Sequence, residues 1–290
     1  MTIAAPTRPR GGLTAFWAVT FGWTFAFWLL AIALGGSATS SPTAVPYLLG
    51  GFGPVIGAIV LRVRRSRRRE PVPAHAVRTR LGVRLLWALP MLALASVTVL
   101  AGALLAEFLG GPVLSLTEGR DLVATVGGPV PFFVSMLIAG PLAEEPGWRG
   151  TAYPRLLASL SRLQAGLLLG AAWAVWHLPL FFIDGTLQAE FGLVSWSGLL
   201  FTLSVFPMAL LTGYAYELAG VTSSIAVHLG VNMTMALLTV KSPITQVFVL
   251  AVQVIVAIAL LARQRRLRPA RVDLHPVVAD SSLQVSPTRG

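Results

Sequence analysis

Residues 85–106, LLWALPMLALASVTVLAGALLA, run for 22 positions without a charged side chain. At 1.5 Å per residue this stretch would form a helix about 33 Å long, close to the thickness of a bilayer's hydrocarbon core. Seven further apolar blocks lie near 13–35, 44–61, 122–143, 163–183, 193–216, 221–240 and 244–262. Several contain Gly or Pro, which membrane helices tolerate where neighbours satisfy the freed backbone groups. Of the 290 residues, 55% are hydrophobic and 11% charged, with a mean hydropathy of +0.76. Soluble domains carry about 25% charged residues. The chain is therefore predicted to be all-α, a multi-pass transmembrane helical bundle of about eight spans. It has no cysteine, which excludes disulfides, thiolate metal sites and a cysteine nucleophile.

The charge follows the membrane. Of the 22 basic residues, only Arg120 and Lys241 fall in segments on one side of an eight-span topology, which leaves 20 on the other. By the positive-inside rule the larger set is cytoplasmic, and both termini with it. The formal charge of +11 is thus topological, and no nucleic-acid partner is expected. Residues 1–12 read as a cytoplasmic leader, 13–262 as the membrane domain, and 263–290 as a basic, disordered cytoplasmic tail. The first apolar run exceeds a signal-peptide core, so it reads as a retained span. The stretch RVRRSRRRE at 62–70 would suit anionic lipid or a partner, but the positive-inside rule favours a stop signal. His75 and His275 lie in soluble stretches and receive no role.

Most of the eleven acids fall in loops or at helix ends. Glu144, Glu145, His177 and His228 remain, in or at the ends of apolar spans. Ionisable groups there are costly and so are functional candidates. In EEPGWRG (144–150), Glu145 and Arg149 are four apart and can pair on one helix face. Glu144 lies about 100° around the helix and is left free as a base. Pro146 fits the first turn of a helix starting near Glu145, or a break that opens backbone groups to the site. In WAVWH (173–177), Trp173 stacks one turn before His177. In HLGVN (228–232), His228 and Asn232 share a face and can ligate a metal, donate to an oxyanion or orient water. Each has a plain structural reading: an interhelical hydrogen bond for a histidine, an ion pair for Glu145, packing for the aromatics. Their convergence in three short clusters favours a site.

Those three motifs, in that order, resemble the signature of the CPBP family, the CAAX-protease and bacteriocin-processing (Abi) intramembrane proteases, over roughly residues 120–240. The family pattern is a double glutamate with an arginine four residues after the second, an aromatic four before a histidine, and a histidine four before Asn or Asp. This chain departs in carrying Trp173 where phenylalanine is usual. The resemblance implies that Glu144 activates water, His177 positions it, His228 and Asn232 stabilise the oxyanion, and Glu145 with Arg149 supports the cluster. It leaves zinc open: Glu144, His177 and His228 would supply a His₂Glu set with one open position, whereas a glutamate-only route needs none.

The expected activity is that of a bacterial cell-membrane endopeptidase acting on a membrane-associated, potentially lipidated protein or peptide, with membrane lipids as its other partners. The alternatives are a non-catalytic scaffold or immunity protein that keeps the motifs as structure, and a proton-coupled transporter. The transporter would bring an internal repeat, and the sequence shows none.

Overall fold

The computed structural model describes residues 12–70 and 83–266. The tail beyond Arg266, nearly all of the leader, His75 and His275 lie outside the described residues. Every regular element among the described residues is helical: α1 Leu13–Leu34, α2 Ala44–Gly50, α3 Gly53–Arg67, α4 Ala88–Phe108, α5 Thr117–Thr125, α6 Pro129–Leu156, α7 Arg162–His177, α8 Trp196–Ala219, α9 Val221–Leu237 and α10 Pro243–Arg266. Five spans, built on α1, α4, α7, α8 and α10, are each long and apolar enough to cross a membrane. The pairs α2–α3 and α5–α6 qualify as bent units, and α9 is a shorter apolar helix of 17 residues. The molecule is an all-α, multi-pass membrane bundle, with a helix or bent pair at each of the eight apolar segments.

Two differences from the sequence reading matter. The segment near 122–143 is bent by 85° between α5 and α6, because Gly127 (φ 99°) and Gly128 (φ 105°) turn the chain through left-handed conformations. Pro129 then starts the next helix. Residues 144–156, which carry Arg149 and Arg155 of the larger basic set, continue α6. From Ala143 to Leu156 they are buried except for Pro146, which is half-buried. Arg149 and Arg155 lie inside the protein because each has an internal partner, Glu145 for one and the Thr151 carbonyl, at 2.6 Å, for the other.

α9 sits at the centre, packed on α4, α8 and the irregular part of α6. It buries Ser223, Ser224 and the run Ala226–Val231. Small residues allow close backbone approach where lipid offers no hydrophobic driving force. A β-carbon on Gly230 would stand 2.7 Å from the Leu92 carbonyl oxygen of α4, and one on Gly147 would stand 2.4 Å from the Pro54 carbonyl of α3. The second contact seats α3 against α6 beside the glutamates. Behind them an aromatic layer joins α1, α6 and α7. In it Trp176 lies 4.6 Å from Trp28 and 5.9 Å from Trp148, ring centre to ring centre, and Trp176 Nε1 donates to Thr24 Oγ1 at 2.8 Å. On the outside, Leu89, Val97, Leu104, Ile255 and Ile258 are exposed, as a lipid-facing surface requires.

Candidate active site

The site begins with an irregular helix. Within α6, π-helical turns at Ile138–Leu142 and Trp148–Ala152 flank the α-helical turn Ala143–Gly147. Pro141 and Pro146 lie inside this run, and each removes an N–H that an unbroken α-helix would use. Pro146 is therefore neither at a helix start nor at a chain break. It sits between two widened turns, a distortion that often accompanies functional sites.

Glu145 and Arg149 make the i, i+4 pair that their spacing predicts. Arg149 Nη1 donates to Glu145 Oε1 at 3.0 Å, and both side chains are fully buried. His228 Nδ1 reaches the same oxygen at 2.9 Å. A carboxylate oxygen accepts, so Nδ1 carries the hydrogen and Nε2 is turned to the other side. The Arg149 guanidinium also lies over the Trp173 ring, 4.4 Å from its centre, a cation–π contact in a desolvated place.

Glu144 has different neighbours. Its Oε2 accepts from Trp173 Nε1 at 2.6 Å and from Trp148 Nε1 at 3.4 Å. Its Oε1 faces the space over Gly140. A β-carbon built on that glycine would have as its nearest neighbours Asn232 Nδ2 (3.4 Å), Glu144 Oε1 (3.7 Å) and His228 Nε2 (3.8 Å). Three polar groups from α6 and α9 thus converge on one small volume.

His177 stands beside this group. α7 opens with a capping box in which Ser161 and Gln164 satisfy each other's backbone N–H, and Trp173 and His177 follow at its far end. His177 Nδ1 donates to the Trp173 carbonyl at 2.8 Å. Its ring packs on Trp176 (4.9 Å), Phe201 (5.4 Å) and Trp173 (5.8 Å). Trp173 also lies 5.2 Å from His228, so one indole touches both histidines, the arginine and Glu144.

As placed, Glu144, His177 and His228 do not form the His₂Glu zinc set. Among the described residues no three His, Cys, Asp or Glu side chains are grouped to share a metal ion. Trp173 lies against both imidazoles, and Nδ1 of each is hydrogen-bonded to an acceptor, which leaves its Nε2 available. The arrangement can hold a water or a carbonyl oxygen between one carboxylate oxygen and two nitrogen-bearing side chains.

Sequence reasoning missed three residues and one contact. Trp148 and Gly140 lie four residues either side of Glu144, so helical spacing could have found both. The contact between His228 and Glu145 spans 83 positions and leaves no local signal. Glu217, set aside as a helix-end acid, accepts from Arg162 Nε and Nη2 at 2.6–2.8 Å and from Tyr153 Oη at 3.1 Å. It ties α6, α7 and α8 together at one end of the bundle.

Residues 126–234 match the family model of the Rce1-like type II CAAX prenyl endopeptidases. A curated relative, CAAX prenyl protease 2 of Methanococcus maripaludis, is 30% identical over 141 residues, which is 48% of this chain and 51% of the relative. The chain thus matches about half the length of that relative. Every residue of the cluster, from Gly140 to Asn232, falls inside the matched family region. The three motifs and the site they assemble all fall in this region, which is similar to the CAAX prenyl endopeptidases.

Proposed function

We propose that the chain is an intramembrane endopeptidase in which Glu144 activates water for attack on a peptide carbonyl of a membrane-associated, lipidated substrate. The observation that carries this reading is the convergence of Glu144 Oε1, Asn232 Nδ2 and His228 Nε2 on the space beside Gly140. Glu144 Oε1 takes a proton from water as the water oxygen bonds to the carbonyl carbon. The electrons displaced onto the carbonyl oxygen are met by Asn232 Nδ2–H, with the His228 ring beside it. The proton then passes from Glu144 to the amide nitrogen as the C–N bond breaks, leaving a carboxylate on one product and an amine on the other.

Glu145 and Arg149 hold His228 in place, Trp173 and Trp148 hold Glu144, and His177 orients the water through its free Nε2. The match to prenyl endopeptidases supports a prenylated substrate with a C-terminal CAAX sequence. The asymmetry of the basic residues supports a plasma-membrane protein with both termini cytoplasmic. The glutamate route requires no metal ligand.

The test uses purified full-length protein in lipid nanodiscs with a farnesylated CAAX peptide and its unprenylated counterpart. Wild type is expected to cleave the farnesylated peptide, and Glu144→Gln to lose about 10³-fold or more in kcat with its folding unchanged. Equal cleavage by wild type and Glu144→Gln would sink the proposal. Full activity after exhaustive chelation agrees with the glutamate route. Loss of activity that added zinc restores would replace it with a metal-bound water.

A further inference from the structure

We propose that Gly140 is a positioning residue of the reaction centre, its missing side chain keeping open the volume in which the scissile carbonyl oxygen and the attacking water meet Glu144, His228 and Asn232. This rests on the hydrolytic reading above and adds to it a residue that lies outside all three motifs.

The case comes from what surrounds each glycine. At Gly147, Gly230 and Gly170 a β-carbon would collide with packed groups: the Pro54 carbonyl at 2.4 Å, the Leu92 carbonyl at 2.7 Å and the Phe206 ring at 2.9 Å. Those glycines serve packing. At Gly140 the nearest atoms are 3.4–3.8 Å away, ordinary van der Waals distance, and all three are polar atoms of the candidate site. The backbone of Gly140 is right-handed, within the π turn Ile138–Leu142, so an L-residue fits it without strain. Neither sterics nor backbone demands a glycine here, and alanine has the better helix propensity.

A methyl group, however, would stand against the groups meant to receive the substrate. Glu144 Oε2 is occupied by the two indoles and His228 Nδ1 by Glu145. The remaining atoms, Oε1 and Nε2, are those turned toward Gly140. An oxygen has to approach within about 3 Å of them to bond, and a carbon wedged at 3.4–3.8 Å takes that space.

The experiment compares Gly140→Ala, Gly22→Ala, Glu144→Gln and wild type in nanodiscs, following thermal unfolding and cleavage of the farnesylated CAAX peptide. Gly22 has nothing within 4 Å of its β-carbon position, so its alanine variant should match wild type in both measurements. Gly140→Ala is expected to unfold at the wild-type temperature and keep its KM within about threefold, while kcat falls about 100-fold, the scale of losing an oxyanion donor. Wild-type kcat in Gly140→Ala beside an inactive Glu144→Gln overturns the inference and leaves the hydrolytic reading standing. A Gly140→Ala protein that fails to fold also overturns it, because packing would then be what demands the glycine. Failure of wild type to cleave, or full cleavage by Glu144→Gln, overturns the reading of the site and this inference with it.

Discussion

Two Arg–Glu pairs that lie between or within the helices, Arg162–Glu217 and Arg149–Glu145, are built to opposite standards. At one end, Arg162 grips Glu217 through both Nε and Nη2, Tyr153 adds a third donor, and the group is partly exposed. In the interior, Arg149 and Glu145 share one hydrogen bond at 3.0 Å and are fully buried. There Glu145 Oε2 and Arg149 Nε and Nη2 find no hydrogen-bond partner among the described protein residues. Buried polar groups are nearly always satisfied, so the interior pair is held at a cost that the outer pair escapes. The outer pair joins three helices. The inner one places a charge and a guanidinium where His228 and Trp173 need them.

Breaking the inner pair should have the largest effect. Arg149→Met leaves Glu145 buried without its cation, and removing one partner of a buried pair typically costs about 3–5 kcal/mol. A thermal melt in detergent should show a strongly lowered midpoint or a protein that does not fold. A midpoint near wild type would show that His228 alone satisfies Glu145. Trp173→Phe supplies the residue usual in the family while removing the shorter indole donor to Glu144. A hydrogen bond to a charged group is worth about 1.5–3 kcal/mol, so kcat should fall about tenfold or more with KM little changed. Unaltered kcat would mean that Trp148 suffices to hold the carboxylate. The smallest change belongs to the outer pair. Tyr153→Phe removes one of three donors to Glu217, should lower stability by about 1 kcal/mol, and should leave cleavage untouched. A large loss of activity there would join the two clusters functionally and undo the contrast.

Much of this could be read from one sequence, and the part that could not has physical reasons. Hydropathy found the apolar segments, since length and apolarity are what a bilayer selects. It did not find direction: an 85° turn between α5 and α6 leaves the apolar count unchanged. A count of charges also cannot distinguish an exposed arginine from one with a buried acceptor, as Arg149 and Arg155 are. In the site, Glu145–Arg149 was readable because helix geometry links i to i+4. The bond from His228 to the same carboxylate was not, since it depends on how α9 packs on α6. Trp173 was read as an aromatic stacked one turn before His177, but its bond to Glu144 depends on an N–H direction that only the folded chain defines.

The π turns of α6 have a consequence for how this helix can vary in length. A π turn is in effect an α-helix with one residue inserted, and deleting that residue would restore ordinary winding. A wide turn absorbs its extra residue within one circuit, so the parts beyond it would keep nearly the same angular register. Glu144 lies on one side of the turn Trp148–Ala152, and Tyr153, which bonds Glu217, lies on the other. The two ends of the segment are geared together like teeth on one shaft. An α6 shortened by that residue could keep both the glutamate facing Asn232 and the tyrosine facing Glu217. The extra residue therefore changes the backbone hydrogen bonding beside the glutamate and not the direction in which either side chain faces.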